Sequence, residues 1–215
     1  MKNTKTVVKF YPPTEEKINV WSHGFGLFLS LICLPLLVLR AVSFGDAWRI
    51  VSFSIFAISM ILLYLASTIY HHSKTPKLRS RLNVFDHASI YVLIAGTYTP
   101  FTLVTLQGWV GWTIFGIAWG AAVAGIILKI FFIGRYKLLS VIMYVLMGWI
   151  IVIAIKPLIQ NLSAEGLIWL GAGGISYTVG AVLYSLKGMK FNHAVFHIFV
   201  LAGTFCHFVA VYWFV

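Results

Sequence analysis

The sequence predicts an all-α membrane protein, a bundle of seven transmembrane helices. Three observations lead there. Of 215 residues, 60% are hydrophobic and only 10% are charged, whereas a soluble domain carries roughly 25% charged residues. The mean hydropathy is +0.94. The apolar residues also fall into long runs parted by short polar or basic turns. Each run is about 20 residues, enough to cross ~30 Å of hydrocarbon at 1.5 Å per residue. Strands of a membrane β-barrel would instead alternate apolar and polar positions over ~10 residues. No internal repeat or low-complexity segment is present. The chain divides into a polar tail over residues 1–17 and one transmembrane domain over residues 18–215. That leaves no soluble catalytic domain, so any chemistry belongs in or near the bilayer.

The tail is basic and ends Pro12-Pro13-Thr14-Glu15-Glu16. Thr14 is a candidate helix cap, and the two glutamates suit the positive end of a helix. No signal-peptide core follows Met1, and the first apolar run is too long for a cleaved one, so it is expected to be retained. The first span runs from Ile18 to about Val42, with Pro35 as a possible kink. Gly45-Asp46 is a turn, and the second span covers Trp48 to about His72. Ser73 to Val84 reads as a basic loop, and Phe85 to Leu106 as the third span. Gln107-Gly108 turns the chain into the fourth span, Trp109 to about Ile133. Gly134-Arg135-Tyr136-Lys137 is a basic turn before the fifth span, Leu138 to Ile155. Lys156 to Ser163 reads as a polar loop, Ala164 to Leu186 as the sixth span, and Lys187-Gly188-Met189-Lys190 as another basic turn. The seventh span starts at Asn192 or His193. Gly116, Gly120 and Gly171 to Gly174 are candidate close-packing positions. Cys33 and Cys206 lie inside apolar runs and read as small core residues, neither a disulfide nor a metal pair.

Thirteen of the sixteen lysines and arginines lie on one side: the tail, the 73–84 stretch, the 129–137 region and the 187–190 turn. Only Arg40, Arg49 and Lys156 lie on the other. Cytoplasmic loops carry the excess of positive charge. The N-terminus is therefore expected in the cytoplasm and the C-terminus outside. The net charge of +11 reads as a topology signal and a contact to anionic lipid, not as nucleic-acid binding.

The histidines then become informative. His193 and His197 are four residues apart and share a helix face. His71 and His72 end the second span. His23 lies near the start of the first, and Asp86 and His87 open the third. Four helices thus bring six histidines and one aspartate to the same leaflet. Ionisable groups in a membrane are costly and tend to face the bundle interior. Three imidazoles and a carboxylate suit Zn²⁺, which keeps one position for water when catalytic. The best trio is His71, His193 and His197. Asp86 could be a direct ligand or could hold and deprotonate the water. Ser67, one turn before His71, could bond the water or a substrate carbonyl. Asn19 and His23 form another i,i+4 pair and could lie behind the ligands. His207 is ten residues past His197, ~15 Å deeper, and is expected outside the site. His87 points roughly 100° away from Asp86 on a helix and is also expected outside it. Each feature has a plainer reading. Asp86 could be an N-cap, His71 and His72 a helix end, His193 and His197 a packed pair, Ser67 packing glue, and His23 an interfacial residue.

Taken together, Glu16-x-x-Asn19-x-x-x-His23, Ser67-x-x-x-His71, Asp86, and His193-x-x-x-His197 with His207-Phe208 resemble the progestin and adipoQ receptor family. The stretch from Asp86 to Phe101, with Thr97-Tyr98-Thr99-Pro100 near its end, resembles the bacterial haemolysin III branch. The resemblance covers nearly the whole chain. It implies seven helices, a zinc held by His71, His193 and His197, Asp86 contacting the zinc water, and Ser67 at the family serine. Where eukaryotic members commonly carry tyrosine after the aspartate, this chain has His87, and His72 stands beside the implied ligand His71. The resemblance supports a zinc-dependent intramembrane hydrolase acting on a lipid amide or ester, in the manner of a ceramidase. Rival expectations are a lipid sensor or homeostasis factor with structural zinc, and the cytolysin that the haemolysin name implies. A proton-coupled transporter using Asp86 and a bis-histidine haem protein are further alternatives. The expected partners are membrane lipids, and the expected location is a bacterial plasma membrane.

Overall fold

The computed structural model describes residues 9–132, 137–186 and 188–215. Most of the tail, the centre of the turn after the fourth span, and Lys187 lie outside the described residues. Within them, seven helices are long and apolar enough to cross a membrane. They are α1 (Pro13–Ser43), α2 (Ala47–His72), α3 (Pro76–Leu106), α4 (Gly108–Phe132), α5 (Leu138–Asn161), α6 (Ala164–Ser185) and α7 (Asn192–Phe214).

Neighbours in sequence pack side by side from α1 to α4, and α7 closes the bundle by packing on both α6 and α1. α5 touches α3, α4 and α6 more sparsely. α3 is the central helix. Its best membrane-spanning stretch is 83% buried, whereas the corresponding stretches of α1, α5 and α6 are each 22% buried. It is also the least apolar of the seven. Burial is tolerable because its hydroxyls bond back to its own carbonyls. Thr97 donates to Leu93 O at 2.8 Å, Thr99 to Ala95 O at 2.9 Å and Thr102 to Tyr98 O at 3.0 Å. In hydrocarbon every polar group needs such an internal partner. After Pro100 the helix widens into a π turn over Phe101–Leu106. A ring nitrogen without a proton breaks the regular ladder there.

Several boundaries differ from the sequence expectation. The basic loop is only Ser73-Lys74-Thr75, because α3 begins at Pro76. Proline is preorganised for the first helical turn, and Arg79 faces inward from the new turn with its polar atoms satisfied. Asp86 therefore sits well inside α3 and caps nothing. Thr14 is also not a cap: α1 starts at Pro13, behind Pro12, with no side-chain cap bond. The chain continues as one helix through Pro35. The polar loop after the fifth span is mostly helix, Ile155–Asn161. Asp46 and Ser163 supply real caps, accepting from Trp48 N at 2.9 Å and Gly166 N at 3.2 Å. Gly116, Gly120 and Gly171 face open space and are not close-packing positions. Within the expected stretch Gly173 is a tight approach, a Cβ there standing 2.3 Å from the His207 ring, and Gly111, which was not among the candidates, is another, with a Cβ 2.1 Å from Thr102 O. Cys33 and Cys206 are free thiols.

Candidate metal centre

The last turn of α2 carries both His71 and His72, but they diverge. His72 is exposed, whereas His71 is buried and turned toward α1 and α7. His193 and His197 rise from the first turns of α7, both buried. The Nε2 atoms of the three converge: His71 to His193 at 3.0 Å, and His193 to His197 at 3.1 Å. Among the described residues, these three form the group whose ligand atoms all lie within 4.8 Å of one another. Asp86 does not belong to it.

The opposite ring nitrogens show why the Nε2 lone pairs can meet. His71 Nδ1 donates to Glu16 Oε2 at 2.8 Å. Asn19 Nδ2 lies 3.4 Å from the same nitrogen. Ser22 donates its hydroxyl to Asn19 O at 3.2 Å, and its oxygen then accepts from His197 Nδ1 at 3.2 Å. With Nδ1 protonated in both rings, Nε2 is the free donor atom in both. A carboxylate or hydroxyl behind a ligating imidazole is the usual support of a metal site. A tetrahedral ion with bonds of about 2.0–2.1 Å would separate its nitrogens by about 3.3–3.4 Å, close to the spacing present here. The donor set therefore fits a metal ion. His193 differs, because its Nδ1 is buried without a hydrogen-bond partner among the described residues.

Glu16 is held in turn by Arg79. The guanidinium is 1% exposed. It pairs with Glu16 Oε1 through Nη2. Its Nη1 donates to Tyr70 O at 3.1 Å, His71 O at 3.3 Å and Ser73 O at 3.1 Å, and its Nε to Lys9 O at 3.0 Å. Those carbonyls include the ones left without helical partners at the end of α2. The Tyr70 and Phe10 rings both lie against it, each with the ring centroid 4.5 Å from Cζ. One arginine thus ties the end of α2, the start of α1 and the segment before it to the start of α3.

A cavity of about 840 Å³ borders His193 and His197 of the trio, lined also by Ser67, Asp86 and apolar side chains such as Leu63, Ile94 and Val200. Ser67 is 1% exposed and its hydroxyl has no hydrogen-bond partner. Asp86 is buried, with Oδ2 3.6 Å from His87 Nδ1. His87 itself donates to Asn83 O at 2.9 Å. Contrary to the helix-wheel expectation, His87 lines the same cavity as Asp86. His23 is stacked on His197, with centroids 3.5 Å apart and planes 6° from parallel, and neither of its nitrogens has a partner. His207 lies outside the trio. Its Nε2 donates to Leu170 O at 3.2 Å, and its ring lines a further part of the cavity.

Three participants were not singled out from the sequence as site residues. Glu16 opens the motif Glu16-x-x-Asn19-x-x-x-His23 and shares a helix face with both, but from sequence it reads only as a helix-end charge with no role at the site. Arg79 was counted among topology charges. Ser22 carried no signal at all.

The fold and site define a multi-pass membrane protein with a buried three-histidine cluster able to hold a metal ion. The chain belongs to the haemolysin-III related family, whose model matches residues 11–208. It is 46% identical over 201 residues to Hemolysin-3 of Bacillus cereus, covering 94% of this chain and 92% of that protein. It is 48% identical over 197 residues to a Hemolysin-3 homolog of Bacillus subtilis strain 168, covering 92% of each. More distantly, the human monocyte to macrophage differentiation factor is 25% identical over 210 residues, which span 94% of this chain and 86% of that one.

Proposed function

We propose that His71, His193 and His197 hold Zn²⁺ and that the protein is a zinc-dependent intramembrane hydrolase of lipid amide or ester bonds. The observation that carries this is the convergence of three Nε2 atoms beside a cavity that also holds Asp86 and Ser67. Zinc at such a site polarises a carbonyl and lowers the pKa of a water toward ~7. Asp86 stands outside the ligand group, so its role is to accept a proton from water in the cavity. Ser67 has an uncommitted buried hydroxyl, suited to donate to the substrate carbonyl. The apolar wall houses an acyl chain and excludes bulk water. Asn19, and His23 against the face of His197, back the ligands. The distribution of lysine and arginine supports a cytoplasmic N-terminus and an outside C-terminus, with the site at the cytoplasmic leaflet. The Bacillus relatives favour a bacterial membrane, and the apolar side chains lining the cavity favour membrane lipids as substrates.

The test is metal analysis of detergent-purified protein beside hydrolysis assays on ceramide and ester lipids. Wild type should carry zinc and cleave. His193→Ala should lose both. Asp86→Asn and Ser67→Ala should keep zinc and cleave more slowly, by about 10²–10⁴-fold for the aspartate if it is the general base. Hydrolysis that survives His193→Ala would remove the reading. The name Hemolysin-3 carried by the Bacillus relatives favours a second reading, cytolysis, which requires leakage from liposomes at physiological protein density.

A further inference from the structure

The segment ahead of α1 lies across the site end of the bundle. Its backbone is tied at two points to one ion pair. Lys9 O accepts from Arg79 Nε at 3.0 Å, and Tyr11 N donates to Glu16 Oε1 at 2.9 Å. Phe10 covers the Arg79 guanidinium at 4.5 Å. Pro12 and Pro13 follow, and Pro12 has φ −52° and ψ 146°, a stiff polyproline conformation. Between these anchors the Tyr11 ring is laid flat on His193, with centroids 4.7 Å apart and planes 14° from parallel. Tyr184 flanks the same imidazole at 5.3 Å.

His193 needs such a support more than its neighbours do. Glu16 orients His71 and Ser22 orients His197, but the Nδ1 of His193 has no polar partner among the described residues. Its imidazole is held by ring contacts instead. We propose that Tyr11 is the positioning residue of His193: stacked on the imidazole by the strap Lys9–Pro12, it keeps Nε2 aimed at the trio and closes the direct aqueous route to the metal. The proposal rests on the metal reading above. It adds that the strap governs how fast metal leaves, and that Tyr11 acts chiefly through its stacked ring, its hydroxyl bonding Tyr184 on the other flank of the imidazole.

The experiment uses the full chain in detergent, loaded with Zn²⁺ and then challenged with excess EDTA and a chromogenic chelator. Tyr11→Phe, which keeps the stacked ring and loses only the bond to Tyr184, should release zinc far closer to the wild-type rate than Tyr11→Ala does. Tyr11→Ala should release it about 10–100-fold faster, the scale of effect seen when a ligand loses its supporting partner. Phe10→Ala, which loosens the strap without touching His193, should give a smaller acceleration and serves if Tyr11→Ala does not fold. Release from Tyr11→Ala at the wild-type rate would overturn the proposal. So would Tyr11→Phe behaving like Tyr11→Ala, or Phe10→Ala showing no acceleration. If the wild-type chain binds no zinc, the metal reading fails, and the cover over His193 is judged by diethyl pyrocarbonate labelling read by mass spectrometry. His193 should then be protected in wild type and Tyr11→Phe but labelled in Tyr11→Ala. Equal labelling would overturn it.

Discussion

Replacing Arg79 by methionine is the sharpest probe of how this site is held. The side chain is nearly fully buried. It pairs with a Glu16 carboxylate that is only 16% exposed, and it donates to four backbone carbonyls. Methionine fills much of the volume but leaves Glu16 without its cation. Removing one partner of a buried pair costs about 3–5 kcal/mol, chiefly through the stranded charge. Carbonyls that no water reaches each add about 1–3 kcal/mol. Tyr70 O keeps a bond from Ser73 N at 3.2 Å, so the added loss falls mainly on His71 O, Ser73 O and Lys9 O. At roughly 2–4 °C per kcal/mol for a chain of this length, melting should fall by roughly 10 °C or more. Arg79→Lys keeps the charge but lacks the planar fork, and should recover only part of the loss. The double variant Glu16→Gln with Arg79→Met should lose less than the two single losses added together, because no charge is then stranded. Thermal melts of the purified proteins in one detergent measure all four. An Arg79→Met protein that melts with wild type would refute the account of Arg79 as the tie between α1, α2 and α3.

Other consequences can be checked in the same preparations. Glu16→Gln keeps an acceptor for His71 Nδ1 but loses the charge behind it, and metal affinity in chelator competition should fall about 10–100-fold. His72→Ala, at an exposed position beside the candidate ligand, should leave metal content unchanged and stability within about 0.5 kcal/mol, whereas His71→Ala should empty the site. Gly111→Ala places a methyl 2.1 Å from Thr102 O and should destabilise by about 1–3 kcal/mol or more. Gly116→Ala, in open space on the same helix, should melt like wild type.

The seven helices were legible because lipid imposes a length and a polarity that few other settings require. The charge count then gathered His71, Asp86, His193 and His197 at one leaflet, and the structure does bring them to one end of the bundle. What the pattern concealed was the inward face of the basic stretch. Arg79 lies among Lys74, Lys77 and Arg81, and composition cannot tell a solvated lysine from an arginine buried against four carbonyls. The loop expectation for residues 73–84 failed for the same reason, since the polar turn of α3 is satisfied by protein and not by water. A cap role for Asp86 requires a helix that begins at Phe85, and α3 begins nine residues earlier, at Pro76. The position of His87 was missed because adjacency on a helical wheel fixes backbone direction, while a long imidazole can still swing toward the same cavity. Ser22 and Tyr11 act through contacts with helices far away in sequence, and no local spacing announces such contacts.

Two of the three convergent imidazoles ride on α7, which packs between α6 and α1. During synthesis, at about 5–20 residues per second, a chain with six helices inserted already has every residue of the knot made by Glu16, Arg79 and the end of α2. It has only one of the three imidazoles. The cluster comes into being in a single event, when the seventh helix docks, and the nascent protein cannot chelate metal there beforehand. Whatever the trio holds, it can be held only once the bundle is complete, and a truncated product lacking α7 would keep a single imidazole of the three.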